Sequence, residues 1–337
     1  MKPMQKTFAL VLVVAAAFAA EGYKVLSKIK IGGEGRWDYA TMDNANRRLY
    51  VSHGTSVEVV DVDAGKIVGT ISGLHGVHGI AIAPDLNKGY ITNGQTNSVT
   101  VFDLKTLAKT GEPATGKNPD AVCYEPKTKR VFAINHTGND ASVIDAKTSE
   151  IVATFELGPA PEFCVVDGAG KVYVNLEGSS ETVELDAAKP GVTRRASLAP
   201  CDGPTGLSID VKNKKLFPVC GNKMMAVVDI PSMKVIATPA IGPGTDGGGF
   251  DPGTGLAFSA NGGDGTMTIV KLVNGKYEAV ENVPTGRGAR TMAVDEKLHR
   301  AYLLAAEFGP VPEAKEGQKK GRPPVIPDSF HVLVVGK

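Results

Sequence analysis

Three stretches of the chain can be laid on one another. RWDYATMDNANRRLYVSHGTSVEVVDVDAGKIVGTI starts at Arg36, VHGIAIAPDLNKGYITNGQTNSVTVFDLKTLAKT at Val77 and PDAVCYEPKTKRVFAINHTGNDASVIDAKTSEIVATF at Pro119. Each holds an alternating run, a polar turn, an aromatic–aliphatic run, a Gly/Asn turn, a Val-rich run ending in Asp, a Lys-containing turn and a last apolar run. The pattern resumes at Pro161, Pro204, Thr245 and Ala289. The residues aligned with Asp38 are His78, Asp120, Glu162, Thr205, Asp246 and Arg290, at spacings of 40, 42, 42, 43, 41 and 44. Four short strands recurring every forty-odd residues is the period of a β-propeller blade. The chain is therefore read as all-β: a seven-bladed β-propeller with four antiparallel strands per blade.

The seventh unit lacks a strand. It offers runs at 291–295, 301–306 and 330–335, then the chain ends. The alternating segment YKVLSKIKIGG at 23–33 precedes the first full unit. If this N-terminal strand completes the last blade, the ring closes with no gap between its first and last blades.

The N-terminus has a separate character. Lys2 and Lys6 flank or precede an almost wholly apolar run at 7–18, and Ala17-Phe18-Ala19 is a small-x-small cleavage pattern. Residues 1–20 are expected to be a signal peptide, and 21–337 one propeller domain that is periplasmic or secreted. No other apolar stretch is long enough to span a membrane. A net charge of +1 gives no reason to expect nucleic acid as a partner. A monomer is expected.

Strands of a blade alternate in direction, so the loops before the inner strand and those between the second and third strands share one face. That face, the mouth, collects Trp37, Asp38, His78, Asp120, Glu162, Thr205, Asp246 and Arg290 from the first set. His53, Asn93, Asn135, His136, Glu177, Asn222, Asn261 and Glu307 come from the second. The spacing of His75 and His78 would suit a metal on a helix, but His78 opens an inner strand, so that argument fails. The opposite face, the back, carries Arg47, Arg48, Lys88, Lys127, Lys129, Arg130, Lys171, Lys212, Lys214, Lys215 and Lys297 in its turns. These read as solvated turn residues or as a polyanion surface. Cys201 and Cys220 both fall on the mouth face and are the expected disulfide in an oxidising compartment. Cys123 and Cys164 lie in apolar strand patterns and read as small buried core residues.

RRLYVSHGTSVEVVDVDAGKIVGTI, NPDAVCYEP, GPTGLSIDVKNKKLF and GTDGGGFDPGTGLAF resemble the repeats of the YVTN-repeat β-propeller family, the YncE-like proteins. The resemblance covers the body of the chain and implies a seven-bladed, WD40-like, exported fold. It implies no catalytic motif. The name-giving Asn is replaced by His53 in the first unit and Cys220 in the fifth. The seventh unit carries a long insertion at 309–329, which is either a lid or docking arm or a solvated flap.

Two functions follow as expectations. In the first, a small molecule or a partner protein binds at the mouth through Trp37, Asp38, His78, Asp120, Glu162, Asp246, Arg290 and Glu307. In the alternative, His53, His78, Asp120 and Glu162 hold a divalent metal ion for hydrolase or lyase chemistry, with zinc, iron or copper favoured by imidazole and calcium by carboxylate. A quinone or copper electron-transfer role is less supported: the chain has one Trp, six His and no C-x-x-C-H. GSS near Gly178 and IGPGTDGGG near Ile241 lack the strand–turn–helix setting of a nucleophile elbow or phosphate loop.

Overall fold

The computed structural model describes residues 22–33, 36–312, 321 and 323–337. The expected signal peptide and the centre of the insertion, 313–320 and 322, lie outside the described residues. The remainder forms seven antiparallel sheets arranged as blades. Blade 1 pairs Ala40–Asp43, Arg48–His53, Ser56–Asp61 and Lys66–Ile71 in chain order. Blades 2 to 6 repeat this plan, blade 5 with its third strand split into Met224–Met225 and Val227–Asp229. Blade 7 combines Met292–Asp295, Arg300–Ala305 and His331–Gly336 with the N-terminal strand Lys24–Lys30. That strand pairs with His331–Gly336 from Lys24↔Gly336 to Lys30↔His331, so the ring closes as the incomplete seventh unit requires. Helix is confined, among the described residues, to the two 3-10 turns Pro84–Leu86 and Glu177–Ser179. None of the described helices is long and apolar enough to cross a membrane.

The core is a ring of seven clusters, one at each junction between neighbouring blades. The aromatic of each second strand explains this arrangement. Tyr50, Tyr90, Phe132, Tyr173, Phe217, Phe258 and Tyr302 occupy one repeat position and are at most 2 % exposed. Each such ring contributes roughly 1.5–3 kcal/mol of hydrophobic free energy. The phenols are also satisfied: Tyr90 donates to the Ala146 carbonyl at 3.0 Å and Tyr302 to Asp295 at 3.1 Å.

On the back, the Asp that ends the inner and third strands shapes the turn that follows. Asp145 Oδ1 accepts from the N–H groups of Lys147 and Thr148, and Asp103 and Asp186 do the same in their blades. Most basic residues of these turns are engaged rather than free. Arg47 pairs with Asp295 and Asp63, Arg130 with Asp145, Lys171 with Asp186, Lys215 with Asp229 and Lys129 with Asp85. Lys88 and Lys127 cap carbonyl oxygens at 146–147 and 169. Much of the basic charge of the back is thus matched locally by aspartates and carbonyl oxygens.

Candidate functional site

The inner strands begin at the mouth with β-bulges. Pairing with the second strand shifts register between Val77 and Ile80, Pro119 and Ala121, Pro161 and Cys164, Pro204 and Leu207, and Thr245 and Gly247. The residues left in those gaps include His78, Asp120, Glu162, Thr205 and Asp246. A bulge frees a residue from the ladder and re-aims its side chain. Here it turns one polar group per blade toward the axis. Side chains pin the bulged backbone: Thr92 Oγ1 accepts from Gly79 N at 2.8 Å and donates to the Asp120 carbonyl at 3.0 Å. The inner strands approach so closely that a Cβ at Gly79 would lie 2.9 Å from both Asp120 O and Val122 N. Only glycine fits there.

Two groups form in the funnel. In the first, His78 Nδ1 lies 2.6 Å from Asp38 Oδ2 and 3.1 Å from Asp120 Oδ1. In the second, His136 Nδ1 lies 3.0 Å from Glu162 Oε1 and 3.3 Å from the Pro161 carbonyl, with Glu177 alongside. Arg290 bridges Asp38, at 3.6 Å, and Asp246, at 2.8 Å; the second contact is an ion pair without the alignment of a hydrogen bond. Tyr39 of blade 1 reaches across the pore. Its ring packs 4.8 Å from Phe163 of blade 4 and its hydroxyl donates to Glu162 at 3.4 Å.

Crowding of acids sets the electrostatics. Burial first, then the neighbouring Asp38 and Glu162, push the Asp120 carboxyl well above its ordinary range. Burial and Asp38 push Asp246 up to about 7, against the opposing pull of Arg290. Burial and Glu162 also raise Glu177. The hydrogen bond to Glu162 lifts His136 to about 9. Burial opposes protonation of His78, but Asp38 and Asp120 outweigh it and raise its pKa. Tyr39 is raised strongly by burial and by the four acids around its hydroxyl.

Above the funnel a cavity of about 1590 Å³ opens. Bare glycines, including Gly54, Gly76, Gly94, Gly244, Gly262 and Gly263, line it on the side of blades 1, 2 and 6. Trp37, Phe308, Val311 and Pro324 make an apolar wall over blade 7. Trp37 stacks on Phe330 with ring centres 4.9 Å apart. The base of the insertion is closed by Gly309 N donating to the Pro324 carbonyl and Ile326 N to that of Glu307, both at 2.8 Å. Glu307 is exposed and faces this cavity.

Of the residues expected at the mouth, Asp38, His78, Asp120, Glu162, Asp246 and Arg290 converge in the funnel, whereas Trp37 and Glu307 stand at the rim. His53 does not join the other three residues of the expected metal set. It occupies the repeat position of Asn93, Asn135 and Asn261, and each of those buried amides donates to a Ser or Thr of the third strand, at 2.8–3.0 Å. In blade 1 the same strut is His53 and Glu58, 3.7 Å apart, with the imidazole against Phe330. Position in the repeat thus makes His53 a tie between strands. In blade 5 the strut is the Cys201–Cys220 disulfide, with Cα atoms 5.8 Å apart. Cys123 and Cys164 are buried, but they are not free core thiols: they form a disulfide between the inner strands of blades 3 and 4, Cα atoms 6.1 Å apart. The cause is proximity: the inner strands of neighbouring blades lie side by side at the axis, and the two cysteines, offset by one position in the repeat, meet there. Tyr39 carried a signal that was overlooked: it follows the Asp38 position directly and alternation places it one layer deeper.

No family model matches the chain. Antigen Lp49 of Leptospira interrogans is 28 % identical over 229 residues, covering 63 % of this chain and 49 % of that protein. YncE of Salmonella typhi is 26 % identical over 195 residues, 55 % of this chain and 54 % of the relative. The chain spans about half the length of the curated relatives it matches. Among solved structures, a chain of the hydrazine synthase of Kuenenia stuttgartiensis superposes with a TM-score of 0.71 at 18 % identity, covering 84 % of this chain and 96 % of that one. The likeness is one of fold.

Proposed function

We propose that this YncE-like seven-bladed propeller is a binding protein whose mouth takes its ligand through a cationic group. One observation carries the reading: in the funnel beneath the cavity, acidic groups outnumber basic ones. Asp38, Asp120, Glu162, Glu177 and Asp246 converge from four blades, and the bases among them are Arg290, His78 and His136. Even with both imidazoles protonated, five acids face three bases. The raised carboxyls of Asp120 and Asp246 are the cost of that excess, and a bound cation would remove it. The cavity above exceeds the roughly 300–1,000 Å³ of small-molecule pockets, leaving room for a larger ligand or the loop of a partner. The hydrolase or lyase alternative is not favoured, because the set of four it required is not assembled around His53.

Calorimetric titration of the full chain at pH 8 with spermidine, a lysine-rich peptide and citrate tests the reading. Both cations should bind and citrate should not, and Asp246→Asn should weaken the cations at least tenfold. Citrate binding with no response to either cation would overturn it. Export belongs to the same proposal, supported by the basic–apolar N-terminal pattern and the pairing of all four cysteines. Cell fractionation with N-terminal sequencing of the mature chain checks it.

A further inference from the structure

Within the funnel, the first group differs from the second in how its proton is shared. His78 Nδ1 carries one N–H at most, yet two carboxylates address it, Asp38 at 2.6 Å and Asp120 at 3.1 Å. The hydrogen bond goes to Asp38. The Asp120 carboxyl, its side chain 13 % exposed, then keeps the 3.1 Å ion pair with His78 but has no hydrogen-bond donor among the described residues. A largely buried acid that shares one imidazole proton with a second acid is an arrangement that a divalent cation completes: it replaces the proton and satisfies both carboxylates and the imidazole nitrogen together. The three donor atoms lie within 4.8 Å of one another, a span that ligands about 2 Å from a common ion would occupy. Blades 1, 2 and 3 contribute one donor each, all from the same repeat position. Asp38 and His78 also line the open cavity, so an ion and its remaining water have access.

The second group is less suited. His136 Nδ1 has Glu162 and the Pro161 carbonyl as fixed acceptors, Glu162 receives a further bond from Tyr39, and Glu177 is exposed. We propose that Asp38, His78 and Asp120 form a site for one divalent transition-metal ion, with Glu162 and His136 outside its first coordination sphere. One nitrogen and two carboxylate oxygens suit zinc, cobalt(II) or manganese better than calcium. The proposal rests on the cation reading of the mouth and narrows it, with a donor set that includes Asp38 and excludes His53.

The test uses untagged full-length protein freed of metal by chelation. Titration with Zn(II), followed by calorimetry, and with Co(II), followed by its visible absorption, should give one site per chain. Asp120→Asn and His78→Ala should each weaken zinc at least a hundredfold, while Glu162→Gln and His136→Ala stay within about threefold of the parent. Circular dichroism and metal-free melting temperatures establish that each variant is folded. Asp120→Asn keeps the side-chain shape, so its loss of binding is not a folding defect. Zinc binding that survives both His78→Ala and Asp120→Asn, or that is lost in Glu162→Gln, overturns the assignment. Absence of Zn(II) and Co(II) binding while spermidine still binds overturns the metal site and leaves the cation-binding mouth standing. Absence of all three overturns both.

Discussion

The two ends of the ring use the same acids for opposite purposes. On the back, each aspartate meets a base or a row of turn N–H groups. Hydrogen bonds from Lys189 N and Lys171 hold Asp186 down to about 2, and Ser232 and Lys215 do the same for Asp229. In the mouth, Asp120, Asp246 and Glu177 face other acids, Asp38 and Glu162 foremost, and burial plus like charge lifts them. Acids on the back fix turns and tie blades together. Acids in the mouth are held close by a scaffold that gains nothing from their proximity, which marks the place where the fold gives up stability for binding.

This contrast can be broken most forcefully at Asp295. It is fully buried and accepts from both terminal nitrogens of Arg47, at 2.7 and 2.6 Å, across the junction of blades 7 and 1. Asp295→Ala leaves that guanidinium without its buried partner and should cost about 3–5 kcal/mol in urea unfolding. In the mouth the sign should reverse. Asp120→Asn removes a crowded charge while keeping its shape, so the metal-free protein at pH 8 should be more stable by about 1 kcal/mol or more. A loss of stability there would equate the two ends and refute the contrast.

The pH dependence sharpens it further. Asp246 has a folded pKa of about 7 against about 3.8 unfolded, so the folded state holds the extra proton. Its contribution is favourable below about 4 and is lost as pH rises to 7. His136, at about 9 in the fold, contributes stability below about 6.5 that disappears as pH rises through 9. Melting temperature in the absence of ligand should therefore fall from pH 5 to 9, and Asp246→Asn should flatten the lower half of that slope. The smallest effect belongs to a partly exposed pair of the back. Arg130→Ala breaks its contact with Asp145 and should cost less than about 1 kcal/mol.

Much of this was readable from the repeat. Aligning Asp38, His78, Asp120, Glu162, Asp246 and Arg290 already placed them on one face, because antiparallel strands fix which loops are neighbours. The missing strand of the last unit pointed to Lys24–Lys30. Contacts that depend on pairing geometry were not readable. The bulges that aim the mouth residues appear only once strands are in register. His53 looked like a ligand because imidazoles bind metals, yet its place in the repeat is that of a buried strut amide, and its partner Glu58 comes from the third strand. The bond between Cys123 and Cys164 joins the inner strands of two neighbouring blades, and apolar patterning gave both cysteines the appearance of ordinary core. The basic turns of the back concealed their aspartate partners, which were counted as strand ends rather than as counter-ions.

The most direct test of the central claim is proton release on ligand binding. Spermidine titrated at pH 6.5 into the full chain, in buffers of differing ionisation enthalpy, reports the protons exchanged per binding event. If the mouth holds protons because its acids are crowded, binding should release a substantial fraction of a proton or more, and Asp246→Asn should reduce the number. Binding with no proton exchange, or with uptake, would contradict the account.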